Sequence, residues 1–162
     1  MSAANKPERR KLTFATLDEA IADAENLLAK GYDKVGNWDL AQVCFHLAEW
    51  LRYPVEGFPR TPPLLRPVLW LMRNTVAGPA LRAALEKGEM PAGQPTLTQS
   101  VTAPGGDPSE AVAKLKEAVE RFKAFPGPYR PSPLLGVLDH ETGHKVQRLH
   151  CAHHLSFLIP QA

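Results

Sequence analysis

The sequence predicts an all-α protein built on a four-helix core. Two observations carry that expectation. Apolar residues recur at helical spacing in 16–31, 39–53, 107–125 and 139–159, and no stretch alternates apolar with polar residues long enough to argue a strand. In TLDEAIADAENLLAKG (16–31), Thr16 caps a first helix, Glu19 sits three residues on as its capping-box partner, and Gly31 stops it. Ile21, Ala24, Leu27 and Leu28 form its apolar stripe. NWDLAQVCFHLAEWLRYPVEG (37–57) is a second helix, beginning near Asp39 and broken at Pro54. A third helical region covers 64–87, with a kink or split expected at Gly78-Pro79. Residues 88–106 form a long loop rich in glycine and proline. Asp107 caps the next helix (107–125), with Pro108 in its first turn and Glu110 at the third position. The prolines of PGPYRPSPLLG (126–136) make an extended connection, and the last helix starts at Asp139 and ends before Pro160.

A chain of 162 residues suits one domain, expected over 15–160 behind a flexible tail at 1–14. With 44% hydrophobic and 22% charged residues, it fits neither a disordered chain nor a membrane protein. A net charge of +2 is too mild, and its cations too scattered, to imply nucleic acid. KPERRK (6–11) reads as a solvated run. The most apolar stretch, LLRPVLWLMRNTVAGPAL (64–81), is broken by Arg66, Arg73 and two prolines, so it cannot span a bilayer as a clean helix. The start, MSAANKPERRKLTF, has no apolar core of signal-peptide length, and Cys44 and Cys151 suit a reduced cytoplasm. A cytoplasmic location is therefore expected. A disulfide stays open if the two cysteine-bearing helices touch.

Five of the six histidines lie in HETGHKVQRLHCAHH (140–154). HETGH has H-E-x-x-H spacing, in which His140 and His144 would bind zinc and Glu141 would act as base of a metallopeptidase. His150 falls where a metzincin places its third ligand. Three features oppose that reading. Gln147 stands where the motif needs a glycine to leave the helix, so KVQRLH continues helically and turns His150 about 120° away from His144. Too little chain follows His150 for a Met-turn, and no strands precede it. His140 and His144 are otherwise first-turn residues that face solvent or a partner surface.

A second constellation uses other histidines. On a wheel centred on His150, His154, Val146, Gly143 and Phe157 all lie within about 40°. His153 sits at the edge of that face. An i,i+4 histidine pair in an apolar stripe can present two imidazoles to one ion. His46 is the one histidine outside the cluster, and it shares its helix face with Trp50 and Tyr53. Buried imidazoles are costly without partners, and three that converge can share a divalent ion. His46, His150 and His154 are thus the expected metal ligands; the other reading makes each a core histidine with its own hydrogen bond.

GNWDLAQVCFHLAEW (36–50) and LHCAHHLSFL (149–158) resemble the second-helix and last-helix signatures of the DinB/YfiT-like superfamily of metal-dependent helical proteins. The pairing is closest to an uncharacterised bacterial subfamily whose last helix carries H-x-x-H-H-L, and the helical pattern extends it over nearly the whole chain. The resemblance implies an up-down four-helix bundle with an accessory helix, often dimeric. It also implies a divalent ion near one end, nickel or zinc first and iron or manganese next, held by three histidines. By motif position these are His46, His150 and His154. Relatives include thiol-transferring enzymes that use bacillithiol, mycothiol or glutathione, and a maleylpyruvate isomerase. One departure stands out: Phe157 occupies the place of the usual glutamine near the ligands, and it cannot hydrogen-bond a ligand or a water.

Three neutral histidines leave an open position on an ion, where water or a substrate thiolate can be activated. The expected function is a metal-dependent hydrolase or thiol-dependent transferase acting on a small molecule, with a low-molecular-weight thiol as one candidate partner. The alternative is a non-catalytic metal- or ligand-binding bundle. Candidate helpers are few. Glu49 could orient a water or simply face solvent. Gln42 could bond a ligand or hold structure. His153 could support the site from behind or ligate. Trp38, Trp50 and Trp70 could wall a pocket or fill the core, and the 88–106 loop could cover the metal end. A homodimer is expected, partly from the apolar third helix; nucleic-acid and membrane partners are not.

Overall fold

A computed structural model describes residues 8–94 and 96–162 of the chain, so the first half of the expected tail lies outside the described residues. The protein is mostly helical. Helix α1 spans Leu17–Lys30, α2 Leu40–Glu56, α3 Arg66–Met72, α4 Gly78–Lys87, α5 Pro108–Ala124 and α6 His140–Leu155. Helices α1 and α2 each pack against both α5 and α6, with α2 lying along α5. Their apolar faces meet in one core, where Leu27, Leu40, Leu47, Leu115, Phe122 and Leu155 are fully buried. Each such side chain removed from water contributes about 1.5–3 kcal/mol. Among the described residues no helix is long and apolar enough to cross a membrane.

The caps form largely where the sequence places them. Thr16 accepts from the Glu19 amide, and Glu19 reaches back to the Ala15 amide. Asp107 accepts from Ser109 and Glu110. At α2, Asp39 and Gln42 complete a capping box: Asp39 Oδ1 accepts from the Gln42 amide at 2.8 Å and Gln42 Oε1 from the Asp39 amide at 3.2 Å.

Three expectations are corrected and one is refined. First, α2 does not break at Pro54 but runs on to Glu56. Proline has no N–H, so the carbonyl four residues earlier, on Trp50, loses its helical partner. Gln147 of α6 replaces it, its Nε2 donating to that carbonyl at 3.0 Å. Second, α3 and α4 divide at the expected Gly78-Pro79, where α4 begins. They join through a π-helical turn, Arg73–Ala77, in which the Gly78 amide donates to the Arg73 carbonyl. A Cβ on Gly78 would stand 2.8 Å from that oxygen, which is why the widened turn ends on glycine.

Third, a small sheet exists. Strand β1 (Tyr32–Lys34) pairs antiparallel with β2 (Leu158–Pro160), in the register Asp33 opposite Ile159. Three-residue strands are too short to leave an alternating pattern. Fourth, α6 ends at Leu155 rather than near 159. The Arg10 guanidinium donates to the Leu155 carbonyl at 2.9 Å while gripping Asp23 with two 2.8 Å bonds, and the Arg10 amide donates to Ser156. These partners satisfy carbonyls that a longer helix would have used. The segment read as a tail is therefore, from Arg9 onward, in contact with the end of α6, and Leu12 and Phe14 pack against the core.

Candidate metal centre

His46 enters from the middle of α2; His150 and His154 enter from successive turns of α6. The alignment follows from sequence locally, since the α6 pair is one helical turn apart. Their convergence follows from the packing of α2 on α6. One ligand atom from each of the three lies within 4.8 Å of the others. The rings meet edge to face, with centroids 4.5 Å apart for His46–His154, 4.7 Å for His150–His154 and 5.1 Å for His46–His150. His46 Nε2 and His150 Nε2 are 3.2 Å apart. Two nitrogens each ~2.1 Å from one ion, at tetrahedral or octahedral angles, stand about 3.0–3.4 Å apart. The residues present thus fit a divalent ion. The same contact can also serve as an N–H···N hydrogen bond when His150 Nε2 carries a proton.

The surroundings favour neutral imidazoles with outward lone pairs. His46 Nδ1 lies 3.2 Å from the Ser100 carbonyl. A carbonyl only accepts, so this bond puts the proton on Nδ1 and leaves Nε2 as a donor to a metal. Ser100 is itself fixed: its Oγ donates to the Leu97 carbonyl at 2.7 Å and accepts from Trp50 Nε1 at 3.2 Å. Burial lowers the His46 pKa to about 4 against the opposing pull of the Ser100 bond. Burial, then neighbouring histidines, holds His150 and His154 well below their usual value. Trp38 stacks flat on His154 at 5.1 Å, and the Trp50 edge meets His150 at 5.6 Å.

His150, His153 and His154 line a cavity of about 600 Å³; His46 does not. Other parts of its wall come from α4, from residues 90–94 and 96, and from the 129–138 connection. Trp38 and Trp50 line it, as one expectation had it; Trp70 does not, and lies exposed on α3. The 88–106 loop reaches the site twice, through its cavity-lining residues and through the Ser100 carbonyl.

The candidate helpers are distributed differently. Gln42 is engaged at both ends of its amide, capping α2 and donating to the Thr102 carbonyl at 2.8 Å. Glu49 pairs with Arg52 at 2.6 Å in a groove between α2 and α5, away from the histidines. His153 lies at the cluster: its Nδ1 meets the Arg9 guanidinium at 3.3 Å, and its ring is 4.8 Å from His154. Phe157 follows the end of α6 rather than extending its face, and it sits beneath Arg9 and beside His153.

The H-E-x-x-H residues stand outside this cluster. Helix α6 continues through Gln147, and among the described residues no third ligand joins His140 and His144. Glu141 pairs with Lys145 in solvent. His140 stacks on Tyr129, whereas His144, expected to face solvent or a partner, is partly buried against Phe122 with Nε2 unpartnered. Cys44 and Cys151 are free and buried, which pushes both thiols up to about 12, so neither is a ready thiolate. Sequence reasoning missed Ser100, which acts through its backbone; Arg9, hidden in a charged run; and Tyr129, hidden in a proline-rich connection.

A mostly helical chain with three histidines that could hold one metal ion beside a cavity is the class of protein that fold and site define. The chain belongs to the family described as "Protein of unknown function (DUF1569)", which matches residues 6–161. That family is a member of the DinB-like superfamily. No curated protein and no solved structure matches the chain.

Proposed function

We propose that this protein is a metal-dependent enzyme acting on a small molecule, either a hydrolase or a thiol-dependent transferase. The observation that carries the reading is the convergence of His46, His150 and His154 beside a roomy cavity that His150 and His154 line. A divalent ion bound there supplies Lewis acidity and makes a bound water or thiol more acidic. Around it, the chain's own residues do three things. The Ser100 carbonyl orients His46, and the indoles of Trp38 and Trp50 keep the imidazoles in place. The apolar walls limit water. His153 is the nearest further titratable group, with Nδ1 facing Arg9, and it is the residue we assign to hold or pass a proton.

Nickel or zinc suits three imidazoles best, ahead of iron and manganese. The same proposal includes an up-down four-helix bundle of α1, α2, α5 and α6 with α3–α4 as the accessory element. It also includes the bacterial H-x-x-H-H-L subfamily, a cytoplasmic location and a homodimer. The exposed apolar side chains Leu64, Val68, Trp70, Leu71 and Val76 support the dimer. A second reading, a non-catalytic metal- or ligand-binding bundle, is favoured by two observations. Gln42 and Glu49 are engaged elsewhere, and Phe157 offers no hydrogen bond.

Elemental analysis of gently purified protein should find close to one divalent ion per chain, lost in His46→Ala and kept in His140→Ala. The metallopeptidase reading forecasts the reverse. Metal-restored protein is then screened against esters, amides and thiol-plus-electrophile pairs. Turnover that follows bound metal and disappears in His150→Ala supports the enzyme; turnover indifferent to metal removal would refute it.

A further inference from the structure

Resting on the metal-dependent reading above, we propose that the cavity takes the uncharged, apolar tail of an acyl compound whose polar head lies at His150 and His154. Ala80 and Val146 are its length-determining residues.

The tail's place follows from two helix faces. On α6, Gly143, Val146, Gln147, His150 and His154 all line the cavity. Their spacing of three and four residues makes them one face, about 16 Å long at ~1.5 Å per residue. On α4, Ala77, Ala80, Leu81 and Ala84 line it at the same spacing. Two contacts lay this second face beside the first. Before α4, Arg73 reaches the connection that leads into α6: a Cβ on Gly136 would stand 3.5 Å from its Cδ and Nη1. After α4, the Met90 carbonyl and His153 Nδ1 meet the same Arg9 nitrogen, at 3.4 and 3.3 Å. Three of the four α4 side chains are alanines, so room is left where longer side chains would fill it.

The tail's chemistry follows from what the wall lacks. Among its described residues there is no Asp, Glu or Lys. Asn37, Gln94, Thr96 and Arg130 belong to the wall but are exposed to solvent. The other polar side chains away from the histidines are engaged or closed off. Ser132 Oγ accepts from the Leu134 and Leu135 amides, and Gln147 donates to the Trp50 carbonyl. The Tyr129 hydroxyl is buried out of the cavity's reach. A polar group moved from water into this stretch would lose its partners, whereas an apolar chain gains by leaving water.

The probes are acetohydroxamate, octanohydroxamate and 1-octanol on the full chain, zinc-loaded and metal-free, read by titration calorimetry. A hydroxamate head supplies oxygen ligands to zinc and leaves its tail to the cavity. From His150 back to Gly143 is about 10 Å, and an eight-carbon chain is about 9 Å long when extended. Octanohydroxamate should bind roughly a hundredfold more tightly than acetohydroxamate. Each of its six added methylenes gains about fourfold on burial, and the tail gives part of this back in lost freedom. Ala80→Phe, at an exposed position, and Val146→Phe, one turn from His150, should each cut that ratio by roughly tenfold. Both should leave acetohydroxamate affinity unchanged, which shows the head's site intact. A ratio near one, or a ratio unchanged in both variants, overturns the inference. If zinc strengthens acetohydroxamate but the tail adds nothing, the inference falls and the metal site stands. If the tail's gain and its loss in the variants appear equally in metal-free protein and with 1-octanol, the apolar site stands and the metal-dependent function falls.

Discussion

Replacing Gly143 with alanine sets two effects of opposite sign against each other. Gly143 lies inside α6, where alanine favours the helix by about 0.8–1 kcal/mol. The new Cβ, however, would stand 2.4 Å from Tyr129 Cε2, 3.0 Å from Cδ2 and 3.4 Å from Cζ. Ordinary carbon contacts sit near 3.5–4.0 Å, so the ring must retreat by roughly 1 Å or more. Phe122, fully buried, stacks on it at 5.1 Å and 9°, and Phe125 lies at 6.0 Å, so retreat toward the cavity that Tyr129 lines would break these contacts. Overpacking typically costs 1–3 kcal/mol, and expelling the ring would forfeit about 1.5–3 kcal/mol of burial. The steric cost wins, for a net loss of about 1–2 kcal/mol. For a chain of this size that lowers Tm by roughly 2–8 °C. Urea denaturation of metal-free protein measures it. The decisive comparison is Gly143→Ala in a Tyr129→Ala background, where only helix propensity remains and the sign should reverse to about 1 kcal/mol of stabilisation. A Gly143→Ala protein as stable as the parent, or the same loss in both backgrounds, would refute the reasoning.

Further outcomes follow from other contacts. Gln147→Leu keeps the bulk but leaves the Trp50 carbonyl opposite Pro54 without a donor, and should lower stability by about 1–3 kcal/mol in denaturant titrations. Arg10→Ala removes two bonds to Asp23 and one to the Leu155 carbonyl, at 14–19% side-chain exposure, and should lower stability by roughly 1–3 kcal/mol, with hydrogen exchange rising first at the end of α6. His144 is held below its ordinary pKa by burial first, then by His140 and Arg148. The unfolded chain therefore takes up this proton at a higher pH than the folded one. Stability from this site is intact above the unfolded value of 6.5 and is lost as pH falls through the lower folded value. His144→Phe should flatten that part of the pH–stability curve, and an unchanged slope would exclude the assignment.

The helices and the histidine cluster were legible in the chain because their signals are local or periodic. Thr16 and Asp107 announce helix starts through side chains that reach only two or three residues. His150 and His154 share a face because a helix repeats every 3.6 residues. His46 could be matched to them because it is the one histidine set apart on a second apolar face. Other features depend on residues far apart in sequence. The helical run past Pro54 relies on Gln147, and the stop at Leu155 relies on Arg10. The two short strands exist only as a pair. The Ser100 carbonyl that orients His46 carries no residue-type signal at all, since every residue has one. The H-E-x-x-H spacing shows the limit from the other side. Its residues are as regular as any motif, but a site needs a third ligand in space, and tertiary packing gave His150 to His46 instead. Sequence determines which side chains one helix can present together, because helical geometry is local; only the packing of α2, α6 and the connecting loops decides what those side chains meet.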